Sequence, residues 1–171
     1  NIWFSDIWNN LKGVSQKLNH EKLRERSAAY PFELAYRLIN MYSLQGDTVL
    51  DPFFGTGTTM LAAMCAARNS IGYELDSNFH DIINYRLEEV LNFSRKIVAE
   101  RLQRHIEFIE NRQEEKGEAK HKSSKYGFPV VTRQEKNIIF PLMEKINKIQ
   151  NNQFEVAYND DMQVMKYLEE C

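Results

Sequence analysis

The stretch GDTVLDPFFGTGTTML, residues 46–61, decides the fold. Its apolar run Thr48–Leu50 contains β-branched residues, which is typical of a buried strand in a parallel sheet. Pro52 has no N–H for a neighbouring strand, so the strand should end at Asp51. The two glycines permit a sharp turn, and from Thr58 onward the composition is helical. A strand, an acidic tip, a glycine turn and a helix together predict the first half of a nucleotide-cofactor site at the carboxyl edge of a parallel sheet.

The residues around the glycine turn narrow the class of ligand. A phosphate-binding P-loop needs Lys-Ser/Thr after its second glycine, and a dinucleotide fingerprint needs a third glycine; the stretch has neither. The carboxylate of Asp51 would repel a pyrophosphate but attract an ammonium group. This favours a ligand that carries an amine, such as the methionine part of S-adenosylmethionine. An ordinary strand-to-helix turn is the alternative interpretation.

A second strand is predicted for Ile71–Leu75, with Glu74 near its end. Glu74 follows Asp51 by 23 residues. An acid about twenty residues after such a glycine turn is placed to accept hydrogen bonds from ribose hydroxyls. A solvated loop carboxylate or a helix cap is the alternative, and the presence of Asp51 favours the ribose role.

In combination, these segments resemble the cofactor half of an amino-DNA methyltransferase. The matching segments are Tyr30–Leu34, Gly46–Asp47, Asp51–Thr59, Arg68–Asn69 and Gly72–Glu74. Enzymes of this family methylate adenine N6 or cytosine N4, and the motif order here is similar to that of the group often called β. The resemblance implies an α/β fold, a partial Rossmann-like S-adenosylmethionine-dependent methyltransferase sheet with a long helical extension.

The resemblance also implies which residues bind S-adenosyl-L-methionine. Asp51 should meet the methionine amine, Glu74 the ribose, and Asp160 the adenine, with Asp161 as the reserve. The last assignment makes Phe154–Tyr158 the third strand of the cofactor half, although either aspartate could instead cap a helix over Met162–Glu170. The full predicted set is Tyr30, Pro31, Asp51, Phe53, Gly55, Gly57, Thr58, Glu74, Asp160 and Asp161. Tyr30 could also serve simply to pack the following helix, predicted for 32–42, onto the sheet.

Length and composition set broad limits on the class of protein. The 171 residues suffice for one sizeable core, and the net charge of −2 neither favours nor excludes a polyanionic partner. Cys65 and Cys171 suggest no disulfide framework, and no apolar run is long enough to span a membrane. We therefore expect a cytoplasmic location. Because the chain opens on Asn1 in mid-pattern, it looks like a piece of something longer.

The predicted organisation has two parts. Residues 1–30, strand-like around Trp3–Trp8, form an arm that leads from a catalytic and target-recognition part. Residues 31–171 form the cofactor-binding domain, with a helical insertion at about 92–153. The pattern predicts a long helix over Asn78–Glu110, whose later turns enter this insertion, then an exposed and mobile connection over Glu114–Tyr126, and a further helix within 127–153. The neighbourhood is locally basic, so it could track phosphates, but interleaved acids favour a solvated helical hairpin.

The catalytic motif of the family is not in this chain. That motif places Pro-Pro and an aromatic residue after an acidic, Ser or Asn residue, to hold a flipped-out base. The four prolines here are Pro31, Pro52, Pro129 and Pro141, and no two are adjacent. The predicted function is therefore the cofactor-binding share of amino-methylation of a base in double-stranded DNA. Its context would be restriction-modification, with a restriction endonuclease as a further partner and a dimer as one oligomeric state. An RNA guanine methyltransferase and a non-catalytic cofactor-binding module are the alternatives.

Overall fold

The computed structural model describes residues 7, 8, 11 and 30–159. The described elements, in chain order, are α1 (Phe32–Tyr42), β1 (Thr48–Asp51), α2 (Thr58–Cys65), β2 (Asn69–Gly72), α3 (Phe79–Lys116), β3 (His121–Lys122), β4 (Pro129–Val130), a 3-10 helix (Arg133–Asn137), β5 (Leu142–Gln150) and β6 (Gln153–Asn159). The chain divides into two compact units, and the division falls between Val90 and Leu91, inside α3.

The first unit contains a β–α–β arrangement. β1 and β2 pair in parallel, with Thr48 opposite Asn69 at one end and Asp51 opposite Gly72 at the other. α2 connects the two strands and is buried along its whole length. Its alanines and methionines provide small, flexible apolar side chains that pack against α1 and the strands. The expected α/β fold, with a parallel sheet and a crossover helix, is confirmed.

The two strands are less buried than the sequence predicted. Leu50 is 61% exposed and its partner Ile71 is 50% exposed, whereas Val49 and Ser70 are half-buried. Paired residues of parallel strands point to the same face, so one face of this sheet is open and the face that contacts α2 is partly covered. The prediction of buried strands is wrong for the described residues, because only one face of the pair is covered there.

The second unit combines the later turns of α3 with two small antiparallel sheets. β3 pairs with β4, and β5 pairs with β6. Its core is formed by Val98, Leu102 and Leu142, against which Phe128 and Phe140 pack. α3 was predicted for 78–110 and is confirmed, although it continues to Lys116.

Two segments of the second unit differ from the prediction. The connection over Glu114–Tyr126 is largely exposed, as expected, but it contains the last turn of α3, the strand β3 and the buried side chain of Tyr126. The helix expected within 127–153 is absent, since residues 142–150 form a strand instead. Asn151 and Asn152 explain the second error: Asn152 has a φ of 58°, and the pair makes a two-residue connection between β5 and β6. A close antiparallel partner therefore overrides the helical spacing of the apolar residues.

β6 confirms the strand predicted at Phe154–Tyr158 but not its position in the sheet. It pairs antiparallel with β5. The assignment of this segment as the third strand of the parallel sheet stays a prediction. Asp160 and Asp161 lie outside the described residues, as do the predicted helix at 162–170 and nearly all of the N-terminal arm. None of the helices among the described residues is both long enough and apolar enough to cross a membrane.

Candidate functional site

Two of the predicted acids, Asp51 and Glu74, lie at the same edge of the parallel sheet. Asp51 is the last residue of β1, and Glu74 follows β2 by two residues. The loop after β1 meets the end of β2 directly, because the Gly55 N–H donates a hydrogen bond of 2.7 Å to Glu74 Oε2. The main chain also joins them, since Phe54 N donates to the carbonyl oxygen of Tyr73 at 3.0 Å. The glycine turn and both carboxylates therefore form one site.

The two glycines of the turn serve different purposes. Both have a positive φ, 51° at Gly55 and 75° at Gly57, which other L-residues rarely adopt. A Cβ at Gly57 would lie 3.4–3.6 Å from Met60, Phe54 and Ile83, so this glycine is packed inside the protein at the start of α2. A Cβ at Gly55 would meet only the carbonyl oxygen of Phe53, at 3.9 Å. Gly55 therefore leaves open space at the site, as the close approach of a ligand requires.

The Asp51 carboxylate is held by three donors. Oδ1 accepts the Phe53 N–H at 3.0 Å, and Oδ2 accepts the Thr59 hydroxyl at 2.5 Å. The Tyr30 hydroxyl is hydrogen-bonded to Thr59 and lies 3.4 Å from the same Asp51 oxygen. The predicted residues Tyr30 and Asp51 are thus brought together from 21 residues apart, and Thr59 connects them.

The environment of Tyr30 changes its acidity. Burial raises the pKa of the Tyr30 hydroxyl above its ordinary value of 10.0, the hydrogen bond with Thr59 opposes this, and the nearby Asp51 carboxylate raises the pKa further. The tyrosine is therefore held in its neutral, proton-donating form. In this form it supports the Asp51 carboxylate rather than repelling it.

Glu74 keeps capacity for a ligand. Its Oε2 accepts from Gly55 N, and its Oε1 accepts the Asp76 N–H at 2.9 Å. Each carboxylate oxygen can accept two hydrogen bonds, so one position on each remains open to a hydroxyl donor. The side chain is fixed by backbone groups on both sides while it faces solvent.

Arg86 holds the turn from behind, and sequence reasoning did not find it. Its Nη1 donates to the carbonyl oxygen of Thr56 at 2.8 Å and lies 3.2 Å from the hydroxyl of Thr58. Burial lowers the pKa of the guanidinium, which nevertheless stays charged because its ordinary value is so high. The contact spans 28 to 30 residues between α3 and the turn, a separation with no local signal in sequence.

Gly72 and Phe54 form a second contact that sequence reasoning did not single out. A Cβ at Gly72 would overlap Cδ2 of the Phe54 ring, so no other residue fits here while the ring stays in place. The ring therefore lies directly over the glycine at the end of β2. This contact fixes the backbone between the two acids, while the neighbouring Phe53 and Tyr73 rings are 87% and 65% exposed at the site.

The remaining predicted residues have clear places. Pro31 precedes α1 as its N-cap residue, and its carbonyl oxygen accepts the Leu34 N–H at 3.0 Å. Thr58 is the first residue of α2 and is buried beside Arg86. Phe53 is the exposed ring after Asp51. The described site therefore offers one carboxylate suited to an ammonium group, another suited to hydroxyls, and an open glycine between them.

Such a βαβ unit, with acids at both strand ends, is the arrangement in which α/β proteins place nucleotide-type cofactor sites. Residues 1–85 match the family model of the N6 and N4 methyltransferases, described as DNA methylase. The chain belongs to this family of amino-DNA methyltransferases.

Relatives with established names agree with this assignment. The chain is 59% identical over 160 residues to the type II methyltransferase M.MthZI of Methanothermobacter thermautotrophicus, covering 94% of this chain and 44% of that protein. It is 46% identical over 107 residues to the type II methyltransferase M.MjaI of Methanocaldococcus jannaschii, covering 63% and 32%. The chain therefore spans less than half the length of these relatives.

A similar solved structure is described as a DNA modification methylase from Thermus thermophilus complexed with S-adenosyl-L-methionine. The sequence identity is 36%, the match covers 52% of this chain and 31% of the other, and the TM-score is 0.42.

Proposed function

We propose that this chain supplies the S-adenosyl-L-methionine-binding part of an enzyme that methylates an exocyclic amine of a DNA base, adenine N6 or cytosine N4. The observation that carries the proposal is the joining of the two acids through the glycine turn, with Gly55 N bound to Glu74 at 2.7 Å. The family and the names of the relatives favour DNA over RNA as the substrate. The same names support a restriction-modification context.

The hydrogen-bond acceptors of the site fit this cofactor. Asp51 would accept hydrogen bonds from the methionine ammonium group. The hydrogen bonds through Thr59 and Tyr30 would hold the Asp51 carboxylate in place. Glu74 would accept from the ribose hydroxyls with its open positions, and Gly55 would allow close approach. When bound, the cofactor supplies an electrophilic methyl group on a sulfonium.

The other predicted residues would contact or shape the rest of the cofactor site. Phe53 would lie along it, Pro31 and Tyr30 would flank its methionine end, and Gly57 and Thr58 would shape the turn from inside. We retain Asp160, with Asp161 as the reserve, as the residue proposed for the adenine amino group.

The chain's own residues contribute positioning. Methyl transfer needs the nucleophile in line with the bond that breaks, so the rate depends on how rigidly both reactants are held. Arg86 donates to the glycine turn and the Phe54 ring covers the end of β2, so both residues support the backbone that carries the two carboxylates. The Pro-Pro-aromatic segment that would hold the acceptor amine is not among the 171 residues.

The partners are part of the same proposal. The acceptor would be double-stranded DNA, bound by the complete enzyme with the base flipped out of the duplex. A restriction endonuclease of the same sequence specificity would be the functional counterpart. We propose a cytoplasmic location for the enzyme, and a dimer is one assembly to test by sedimentation.

The test is a calorimetric titration of the 171-residue chain with S-adenosylmethionine. We expect Asp51→Asn and Glu74→Gln each to raise the Kd by roughly tenfold or more, since a hydrogen bond to a charged group contributes about 1.5–3 kcal/mol. Asp81→Asn is the matched control, because Asp81 is an exposed acid on α3 outside the site. It should change the Kd by less than about twofold.

Equal effects of all three variants would show that the cofactor responds to net charge and not to the site. A folded wild-type chain that binds no cofactor would contradict the proposal that these residues suffice to hold it.

A further inference from the structure

The second unit contains a basic segment to which the family assignment gives no role. The family model ends at residue 85, and the second unit begins at Leu91. After α3 ends, residues 119–136 carry five lysines and arginines against a single acid, although the whole chain has a net charge of −2. We call residues 119–136 the basic hairpin; its cations are Lys120, Lys122, Lys125, Arg133 and Lys136.

The single acid of the basic hairpin, Glu135, binds backbone N–H groups and no cation of the hairpin. Oε2 of Glu135 accepts the N–H groups of Val131 and Thr132, at 2.8 and 2.9 Å, in a capping box at the start of the 3-10 helix. Among residues 30–159, no ion pair within 4.0 Å involves any of the five cations. The positive charge of this segment is therefore not neutralised by neighbouring carboxylates of the described chain.

The basic hairpin is anchored and not a loose linker. Nε2 of His105, on α3, is hydrogen-bonded to the carbonyl oxygen of Pro129 at 3.3 Å, and its ring lies 5.0 Å from that of Phe128. The Tyr126 ring stacks on Phe128 at 5.5 Å, and its hydroxyl accepts the Phe140 N–H at 2.8 Å. The backbone that carries the charges therefore loses little conformational freedom on binding, which favours affinity.

A backbone hydrogen bond also joins two parts of the basic hairpin. The Ser124 N–H donates to the carbonyl oxygen of Lys136 at 2.8 Å, which brings the turn after β3 against the 3-10 helix. Lys122 precedes that turn and Lys125 lies within it. Lys120, Lys122 and Arg133 are exposed, so their charged groups are accessible to a large anion.

We propose that the basic hairpin binds the phosphate backbone of duplex DNA, and so anchors the enzyme independently of sequence. The choice of DNA rests on the proposed function; the charge pattern and the rigid support are independent of it. A membrane surface fits less well, because no large hydrophobic side chain is exposed between residues 119 and 136 of the described structure. Membrane-binding segments insert such side chains between the lipids.

The test compares two triple variants of the full 171-residue chain, each with three positive charges removed. The first is Lys120→Gln, Lys122→Gln and Arg133→Gln, within the basic hairpin. The matched control is Arg95→Gln, Lys145→Gln and Lys148→Gln, three cations elsewhere in the second unit. Binding to a fluorescently labelled DNA duplex is measured as a function of salt concentration, and cofactor affinity is measured for each variant in parallel.

We expect wild-type binding with a Kd in the range of about 10⁻⁴–10⁻⁶ M, and a slope of log K against log salt that the first variant reduces by about 2–3. Its affinity at low salt should fall at least about tenfold, whereas the control should change less than about threefold. Loss of DNA binding with unchanged cofactor binding supports the hairpin. Loss of cofactor binding with unchanged DNA binding would count against the proposed function and against a role of the hairpin in DNA binding.

Three outcomes would overturn the inference. The first is equal weakening by both triple variants, and the second is the absence of DNA binding by the wild type. The third is tighter binding to a single-stranded RNA of the same length, or to vesicles containing phosphatidylserine, than to the duplex.

Discussion

The contact between Phe54 and Gly72 shows how one side chain can hold two acids in place. The ring covers the glycine at the end of β2, and its own backbone N–H is bonded to Tyr73. Phe54 therefore holds the loop after Asp51 against the end of β2 with both its ring and its backbone. Any side chain at position 72 must displace the ring and, with it, the turn.

We predict that Gly72→Ala lowers the free energy of unfolding by about 1–3 kcal/mol, because its Cβ would overlap the Phe54 ring. In a Phe54→Ala background the same change should cost about zero, since the obstructing ring is gone. Urea unfolding of the two single variants and the double variant gives the coupling free energy. Additive costs would contradict the contact.

Tyr30 predicts a pH dependence of stability. Its raised pKa means that the folded chain holds the hydroxyl proton more tightly than the unfolded chain. The resulting stabilisation is fully present below the unfolded pKa of about 10 and is lost as the pH rises through the higher pKa of the folded state.

The urea midpoint of the wild type should therefore fall more steeply above pH ~10 than that of Tyr30→Phe. Tyr85→Phe, which removes an exposed tyrosine, serves as the control and should follow the wild type. Parallel slopes for Tyr30→Phe and the wild type would exclude a difference in the pKa of Tyr30 between the folded and unfolded chains.

Part of the site could be predicted residue by residue. Asp51 and Glu74 follow short apolar runs, and the carboxyl ends of parallel strands meet at one edge. Thr59 and Arg86 could not be predicted, because their roles depend on which side chains of distant elements come within hydrogen-bond distance. The sequence motif predicts the glycine turn, but not the side chains of other elements that hold the turn in place.

At the scale of elements, an unfavourable residue follows the end of α2. Ala67 has a φ of 55°, in the left-handed region where a Cβ is strained, and its carbonyl oxygen accepts the Gly46 N–H at 2.9 Å. Glycine is the residue usually found at this position after a helix. The strain is local to this helix end and separate from the site.

We predict that Ala67→Gly raises the free energy of unfolding by about 0.5–1 kcal/mol, since relief of the strain exceeds the extra entropy of the unfolded glycine. Ala63→Gly, in the interior of the same helix, is the control and should destabilise by about 1 kcal/mol or more. Thermal unfolding of both variants measures whether the free energy of unfolding rises in the first and falls in the second. A loss of stability in Ala67→Gly would contradict the left-handed conformation.

Helices were easier to predict than strand partners. α1 and α3 show a continuous apolar pattern, and both lie where that pattern predicts them, apart from the extra turns of α3. β5 was mistaken for a helix because Leu142, Ile146 and Ile149 also fit helical spacing. Its identity depends on pairing with β6 across the Asn151–Asn152 turn, and pairing is a tertiary property.

At the scale of the whole molecule, the two units should respond differently to the cofactor. A ligand that binds only the folded state stabilises the region that contains its site, by about 2.7 kcal/mol at a hundred times its Kd. Every described residue of the proposed site lies in the first unit, which ends at Val90.

We therefore predict that S-adenosylmethionine slows amide exchange in peptides from residues 30–90 and leaves the hairpin at 121–130 unchanged. Hydrogen exchange followed by mass spectrometry measures each region separately. Protection confined to the second unit would contradict the proposed site. Added protection at the end of β6 would instead support the role proposed for Asp160.

The open face of the β1–β2 sheet determines how this chain will behave as a purified sample. Leu50 and Ile71 lie exposed beside strand edges that have no further partner among the described residues, and such edges pair readily with those of other molecules. We therefore expect the chain to self-associate as its concentration rises, and a charged residue placed at position 50 or 71 to reduce this association.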